Sequence, residues 1–462
     1  MHKDYATKEE RISFASELHE KAASEADHAK CMDLWTDIAA DYPAEYIAVF
    51  GMGTSLACLG QIGSAIQMLT RAAELNPEHP VVWCQLGAVL RNAQHTELAE
   101  SCYERCLSLD PNNPEGLIGM AGNSVNAGNP DRVIEYSRKA LKFIPDSVHA
   151  LNNLSLGLLE KGEWQEGWDI YCRRESVPGY DNRDMYDGLP RWDGKSHVKK
   201  MAIHAEQGIG DELLFASGIN EILPFADEVV GEVAGRLLPC FRRTWPDINW
   251  YATHQEVMYH EGKDLEAWFR MGDIPSLFRR QPKDCPGTPY IVPYRPAVEG
   301  YRKRLKELGD GPYVGFAWRG GTQRTHERVR NAPMSLWRDL LDASSETVTP
   351  VSVQYGQWGE GSSLSLPHWS SINDNVDELM SLIAACDLII TCNQTAVHMA
   401  GSMGIPCWTA TPKEAAWRYC HEVDGHMCWY NSVKIYRGEW ENVFKRLTTD
   451  LRGLSQPAAA VA

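Results

Sequence analysis

Residues 387–408 read DLIITCNQTAVHMAGSMGIPCW. Leu388 to Thr391 is a short apolar and β-branched run, the pattern of a buried strand. A polar turn follows at Cys392, Asn393 and Gln394, and then a helix is predicted over Thr395 to Met403. Asn393 or Gln394 caps its start, Gly404 supplies the left-handed residue after it, and Pro406 prevents its return. A strand that turns at once into a helix sets unpaired amide donors and the positive end of a dipole at the strand's carboxyl end. That is where open α/β sheets bind ligands, and phosphate is a favoured guest.

The same strand–helix alternation extends upstream to residue 199. KKMAIHAE (199–206) is a predicted strand, Gln207-Gly208-Ile209-Gly210-Asp211 a tight turn, and DELLFASGINEIL an amphipathic helix. EVVGEVAG and INWYAT are further strands with the helix RLLPCFRRTWP between them. Ala267 to Phe278 reads as a short helix and Tyr290 to Val292 as a short strand. A helix at 296–308 leads to a second series: strand PYVGFAW, loop 319–333, helix 334–343, strand TPVSVQYG, helix 375–385, and then the stretch quoted above. Each series predicts a parallel sheet covered by helices, and two such halves facing each other leave a cleft between their carboxyl edges.

The first third has a different texture. Pro43, Pro77, Pro111 and Pro145 stand 34 residues apart, the period of tetratricopeptide repeats, each a pair of antiparallel helices. Small residues recur in register at Gly53, Gly87, Ala121 and Ser155, and again at Cys31, Ala65 and Ala99, where the next member is the larger Val133. Large apolar residues recur at Leu18, Met52, Leu86, Met120 and Leu154. The expected organisation is therefore a tetratricopeptide-repeat domain at 1–178, a Gly-, Pro- and Asp-rich linker at 179–197 pinned by Trp192, and α/β halves at 198–310 and 311–455. Stacked helix pairs form a concave surface suited to peptides and proteins, so a protein partner or acceptor is expected there; an oligomerisation or spacer role is the other reading.

The chain of 462 residues carries a net charge of −17, which disfavours sequence-independent nucleic-acid binding and anionic membranes. Any phosphate site must then be built locally, against the average field. The thirteen cysteines are scattered without a CxxC pair, so reduced thiols are expected rather than a metal site. No apolar run reaches the ~18 residues a bilayer span needs, and the polar start MHKDYATKEERISF lacks a signal-peptide core. A cytoplasmic protein that does not span membranes is the expectation.

AIHAEQGIGDELLFA resembles the amino-terminal motif of the heptosyltransferase-like glycosyltransferases, and DLIITCNQTAVHMAGSMGIPCW resembles their second motif. GFAWRGG followed by Arg330-Asn331-Ala332-Pro333 looks like the opening of their second half. Trp417-Arg418 and Trp429-Tyr430 fall where bacterial repeat-bearing members have similar residues. The resemblance covers about 191–451 and implies a GT-B fold of two facing Rossmann-like halves. It also implies inverting, metal-independent transfer of a hexose or heptose from a nucleotide-sugar donor to an acceptor hydroxyl, with no further cofactor. By analogy with repeat-bearing glycosyltransferases, the acceptor is a protein or glycan presented by the repeats.

On this resemblance Asp211 is the general base. It stands at a helix start facing the cleft, after a turn formed by Glu206, Gln207, Gly208 and Gly210 whose two glycines leave room for substrate. The competing reading is that Asp211 only caps its helix, with Glu206 the second choice of base. Asn393, Gln394, Thr395 and His398 form the donor phosphate and sugar site; Asn393 replaces the family's usual Asp and Gln394 its usual Thr, which leaves the donor's identity open. Arg319, Arg324, Arg328 and Arg330 share one glycine-containing loop and are candidates for pairing with phosphate oxygens, Arg330 first among them. Gln354 is placed against the nucleotide base or ribose. Trp417 and Trp429 read as packing residues, and 374–377 as a helix start rather than a metal motif. The alternative to an enzyme is a non-catalytic repeat scaffold with a degenerate glycosyltransferase region.

Overall fold

A computed structural model describes residues 7–173, 186, 188–321, 330–356 and 363–454. Arg324 and Arg328 lie outside these residues. The chain divides into two units, Met1–Gly157 and Leu158–Ala462, a boundary that falls inside the span expected for the repeat domain.

The first unit is a run of antiparallel helix pairs: Lys8–Glu20 with Glu25–Asp41, Tyr46–Cys58 with Ile62–Leu75, Pro80–Asn92 with Thr96–Leu109, and Pro114–Asn126 with Pro130–Leu141. The periodic prolines act on the residue before them. A proline ring drives its predecessor out of the α region, and Tyr42, Asn76 and Asp110 end their helices at nearly the same backbone angles, φ −133 to −139° and ψ 74 to 91°. The small columns are contact points between helices. A Cβ added at Gly53 would lie 2.7 Å from Leu69 Cγ, and one at Gly87 2.9 Å from Tyr103 Cε1. The break in the second column at Val133 has its own compensation: a Cβ on the facing Gly157 would lie 2.9 Å from Val133 Cγ1. The larger side chain of one helix is matched by an absent one on its neighbour.

In the second unit the helix Trp164–Tyr171 packs on the α/β region through stacked indoles. Trp164 lies 5.3 Å from Trp429 at 22°, and Trp168 meets Trp417 edge-on at 5.2 Å. All four rings are buried, so Trp417 and Trp429 are packing residues. Two parallel sheets follow. The first contains β1 (Val198–His204), β2 (Ala226–Glu232), β3 (Asn249–Tyr251) and β4 (Ala267–Arg270), in spatial order β3-β2-β1-β4. The second contains β5 (Tyr313–Ala317), β6 (Thr349–Ser352), β7 (Leu388–Cys392), β8 (Cys407–Pro412) and β11 (Val433–Gly438), in order β11-β8-β7-β5-β6. A small hairpin, β9 (Glu422–Val423) and β10 (His426–Met427), precedes β11. Each sheet reverses its winding direction, between β1 and β4 in one and between β5 and β7 in the other. Those switch points are where an open α/β sheet leaves a crevice.

Two elements differ from the sequence expectation. Ala267–Arg270 is strand rather than helix, paired with β1 through Ala202 and Trp268. On its other side Trp192 N–H donates to Trp268 O at 2.8 Å, which docks the linker, and the Trp192 ring packs on Phe225 and Phe269. Tyr290–Val292 is extended but joins no ladder; the amides of Tyr290 and Ile291 both donate to Ser402 O, at 2.9 and 3.0 Å. Between Leu388 and Gly404 the strand, the helix and its glycine stop form as read. β7 is buried throughout, the helix spans Thr395–Met403, and Gly404 takes φ 74°. Its Ile405 neighbour closes the helix end by donating to Ala400 O at 2.9 Å.

Gly87→Val is expected to overpack the Tyr103 contact and to lower the stability of the helical unit by about 1–3 kcal/mol. Urea unfolding followed by far-ultraviolet circular dichroism measures it; an unchanged midpoint would contradict the assigned contact.

Candidate functional site

β1 ends at His204, and the chain turns through Gln207, whose φ of +68° lies in the left-handed region. Gly208 then opens the helix Ile209–Phe215, which places Asp211 in its first turn with no side-chain cap. Asp211 therefore does not cap its own helix through its side chain. Opposite it, the helix Thr395–Met403 starts at the end of β7, also without a side-chain cap. The two helix starts touch. A Cβ on Gly210 would lie 3.1 Å from the His398 ring and 3.6 Å from Thr395 Oγ1. Gly208 meets nothing within 4 Å and faces open space.

Around this contact lies a cleft of about 540 Å³. Its walls come from both halves: Gln207 to Asp211 and Arg236 from the first, and Gly321, Arg330, Tyr355, Ile372 to Val376, Gln394, Thr395, His398, Arg418 and Tyr419 from the second. Three arginines face two aspartates, Asp211 and Asp374. The cleft is thus locally cationic in a chain of net charge −17. Neither Arg236 nor Arg330 has an ion-pair partner among the described residues. Arg330 is brought in by a reciprocal clamp at its neighbour: Asn331 Oδ1 accepts from Gly320 N at 3.0 Å, and Asn331 Nδ2 donates to Gly320 O at 3.2 Å.

Asp211 Oδ1 accepts from Arg418 Nε at 2.5 Å. Arg418 Nη2 donates to Gln207 Oε1 at 3.2 Å, and Gln207 Nε2 donates to the Tyr171 hydroxyl. The guanidinium lies 4.5 Å from the Trp417 ring centroid. Burial opposes the charge on Arg418, but Asp211 and Tyr171 more than offset it, and its pKa is raised. Sequence reasoning singled out the pair Trp417-Arg418 but gave Arg418 no role. The position of Arg418 beside a family-like tryptophan was the available signal.

His398 is buried, with Nδ1 3.1 Å from the Tyr430 hydroxyl and Nε2 3.0 Å from the Tyr419 hydroxyl. Burial lowers its pKa to about 4, and Arg418 and Arg330 add to the effect against the pull of Asp211. The ring is therefore neutral near pH 7, with both nitrogens engaged; it presents no cation to a ligand. Tyr419, which sequence reasoning missed, holds Nε2 of this histidine through its hydroxyl, and both residues line the cleft. Burial raises the pKa of Tyr419 and keeps it a neutral hydroxyl.

The other sequence-predicted residues divide. Gln394 occupies the N-cap position of the helix, but neither its side chain nor that of Asn393 supplies the capping hydrogen bond that was expected. Asn393 Oδ1 accepts from Thr409 and Thr411 hydroxyls at 3.0 and 2.8 Å, cross-linking the ends of β7 and β8. A neutral amide does this in a buried place at less desolvation cost than a carboxylate. Gln394 Nε2 donates to Thr391 Oγ1 at 3.0 Å, and its Oε1 is buried without a hydrogen-bond partner among the described residues. Glu206 is buried and is not among the described residues that line the cleft. Gln354 is buried between strand ends: its Oε1 accepts from the amides of Trp318 and Arg319, and its Nε2 donates to Arg319 O at 2.8 Å. It lines a separate cavity of about 260 Å³. Arg319 meets Gln354 through its backbone and is not among the described cleft-lining residues. Asn375, not an aspartate, caps the helix Val376–Ala385, accepting from Asp377 N and Glu378 N at 3.0 and 3.2 Å. Among the described residues no group of three or more His, Cys, Asp or Glu side chains is arranged to hold a metal ion. No helix among them is long and apolar enough to cross a membrane.

The tetratricopeptide-repeat family profile matches residues 80–113. Protein FlbA of Caulobacter vibrioides is 28% identical over 441 residues, covering 86% of this chain and 72% of FlbA. Protein O-mannosyl-transferase TMTC1 of Mus musculus is 30% identical over 97 residues, 20% of this chain and 10% of that protein. MamA from Desulfovibrio magneticus, a solved structure, overlays 36% of this chain and 93% of its own with a TM-score of 0.31 at 16% identity. The chain carries tetratricopeptide repeats, followed by a region of parallel sheets.

A neutral, buried His398 has a consequence for pH. Above the unfolded-chain value of 6.5 the ring is neutral in both states. As pH falls below 6.5 the unfolded chain takes the proton first, and stability declines until the folded ring titrates near 4. The loss across this window is about 3 kcal/mol. His398→Gln, which keeps an amide between the two tyrosines, is expected to remove that slope in denaturation curves from pH 7 to 4; a parallel decline in the variant would show that the ring is not its source.

Proposed function

We propose that the second unit is an inverting glycosyltransferase of the GT-B type, moving a sugar from a nucleotide-sugar donor to an acceptor hydroxyl. The observation that carries the reading is that Asp211 and the uncapped start of the helix at Thr395 open onto one arginine-lined cleft, at the carboxyl edges of two parallel sheets. The donor's diphosphate rests on the amides at Thr395 and on Arg330, where helix-end stabilisation of an anion is worth ~0.3–2 kcal/mol. Asp211 takes the proton of the acceptor hydroxyl as its oxygen attacks the anomeric carbon. The bond from that carbon to the phosphate oxygen breaks, and its electron pair leaves with the nucleoside diphosphate. A single displacement of this kind inverts the anomeric centre. The arginines and the helix start carry the leaving charge, so the reading assigns no metal to the step.

The repeats present the acceptor, a protein, to this cleft's chemistry. Likeness to part of a protein O-mannosyl-transferase agrees with that choice of acceptor. The rival reading is a repeat scaffold whose sheet region no longer binds a donor. Asn393 favours it, because this counterpart of the family's aspartate is spent on Thr409 and Thr411.

A thermal-shift screen of nucleotide sugars against the full chain identifies the donor; stabilisation by none of them would favour the scaffold. With the donor in hand, Asp211→Asn is expected to lower its turnover by about 10²–10⁴-fold while binding persists. Undiminished turnover would remove Asp211 as the base.

A further inference from the structure

Asp211 is the proposed base, yet its Oδ1 is occupied by the Arg418 guanidinium. The guanidinium takes up lone-pair space on that oxygen and fixes how the carboxylate is turned toward an incoming hydroxyl. Arg418 has capacity to spare: its bonds to Asp211 and Gln207 use Nε and Nη2, and Nη1 has no protein partner among the described residues. Both side chains line the cleft, with Arg330, Arg236 and the helix start at Thr395 on the same walls. The other basic group there, His398, has both ring nitrogens engaged by tyrosine hydroxyls.

We infer that Arg418 is a diphosphate-binding residue that exchanges partners, leaving Asp211 for the donor's phosphates and so releasing the carboxylate to act on the acceptor. This rests on the glycosyltransferase reading for the role of Asp211, but the exchange itself requires only an anion of the diphosphate class. Electrostatics favour it. A diphosphate offers more negative charge than one carboxylate, and guanidinium–phosphate pairing is bidentate and strong. Arg418 moves within its own reach, because Asp211, Gln207 and the cleft lining all meet at its side chain. Donor binding therefore precedes base action: a hydroxyl arriving first meets a carboxylate still held by arginine.

Calorimetry of the full chain with inorganic pyrophosphate tests the exchange, using wild type, Asp211→Asn, Arg418→Gln and the double variant, with Arg418→Lys as a charge-retaining control and circular dichroism to verify folding. Asp211→Asn is expected to tighten pyrophosphate binding about tenfold by removing the competing carboxylate, and Arg418→Gln to weaken it about tenfold or more. Arg418→Lys is expected to fall between wild type and Arg418→Gln. In the Arg418→Gln background, Asp211→Asn is expected to change binding less than about threefold, because no exchange remains to be relieved. Equal tightening in both backgrounds would reduce Asp211 to a repulsive field and overturn the exchange, as would wild-type affinity in Arg418→Gln. Coupled pyrophosphate binding without binding of any nucleotide sugar sustains the exchange and removes the glycosyltransferase reading. Turnover of a nucleotide sugar without the coupling does the reverse. Absence of binding in all variants overturns both.

Discussion

The α/β region turns on one close approach, the seating of Gly210 against His398 and Thr395. There the backbone of one helix start lies against the side chains of another, and a Cβ at Gly210 would already be within 3.1 Å of the imidazole. The contact brings the switch points of two separate sheets together. Without it, Asp211 and the amides of the Thr395 helix would belong to two crevices rather than one. The same tightness recurs around it. A Cβ on Gly320 would collide with Gln394, and one on Gly401 with the Tyr430 ring. At each of these contacts the bare backbone of a glycine meets the side chain of a neighbour.

Close packing also sets the electrostatics. Burial keeps His398 uncharged and makes it a hydrogen-bonding post for Tyr419 and Tyr430. The positive charge of the cleft comes instead from arginines, which remain ionised when partly buried. Charge is thus concentrated locally although the chain as a whole is strongly acidic. From Arg418 a polar path runs through Gln207 to Tyr171, on a helix that the indoles of Trp164 and Trp168 lock onto the sheet region. The strained backbone of Gln207 sits in the middle of that path, held at both ends of its amide.

Legibility followed locality. The repeat was readable because its period is written in prolines, and each proline acts on the residue beside it. The stretch from Leu388 to Gly404 was readable because its strand is uniformly buried and its helix stop is a glycine that must take a left-handed conformation. Ala267–Arg270 was misread because a short run such as AWFR carries no period long enough to separate strand from helix; β1 needed a neighbour, and that decided it. Tyr290–Val292 has strand-like residues but no ladder to join, since the amides of Tyr290 and Ile291 are taken by Ser402 O and that of Val292 by Thr244 Oγ1. The side chains of Asn393 and Gln394 looked like helix caps, yet Thr409, Thr411 and Thr391 were better placed to hold them.

From its own residues the chain determined the repeat, the two strand–helix series and the turn that carries Asp211, because spacing, burial pattern and glycine placement act over a few neighbours. Tertiary structure alone decided that Arg418 holds Asp211 across more than two hundred residues, that His398 is neutral, and that Gln354 joins strand ends instead of facing the cleft. Pair contacts and desolvation depend on what the fold brings alongside a side chain, and no local pattern encodes that.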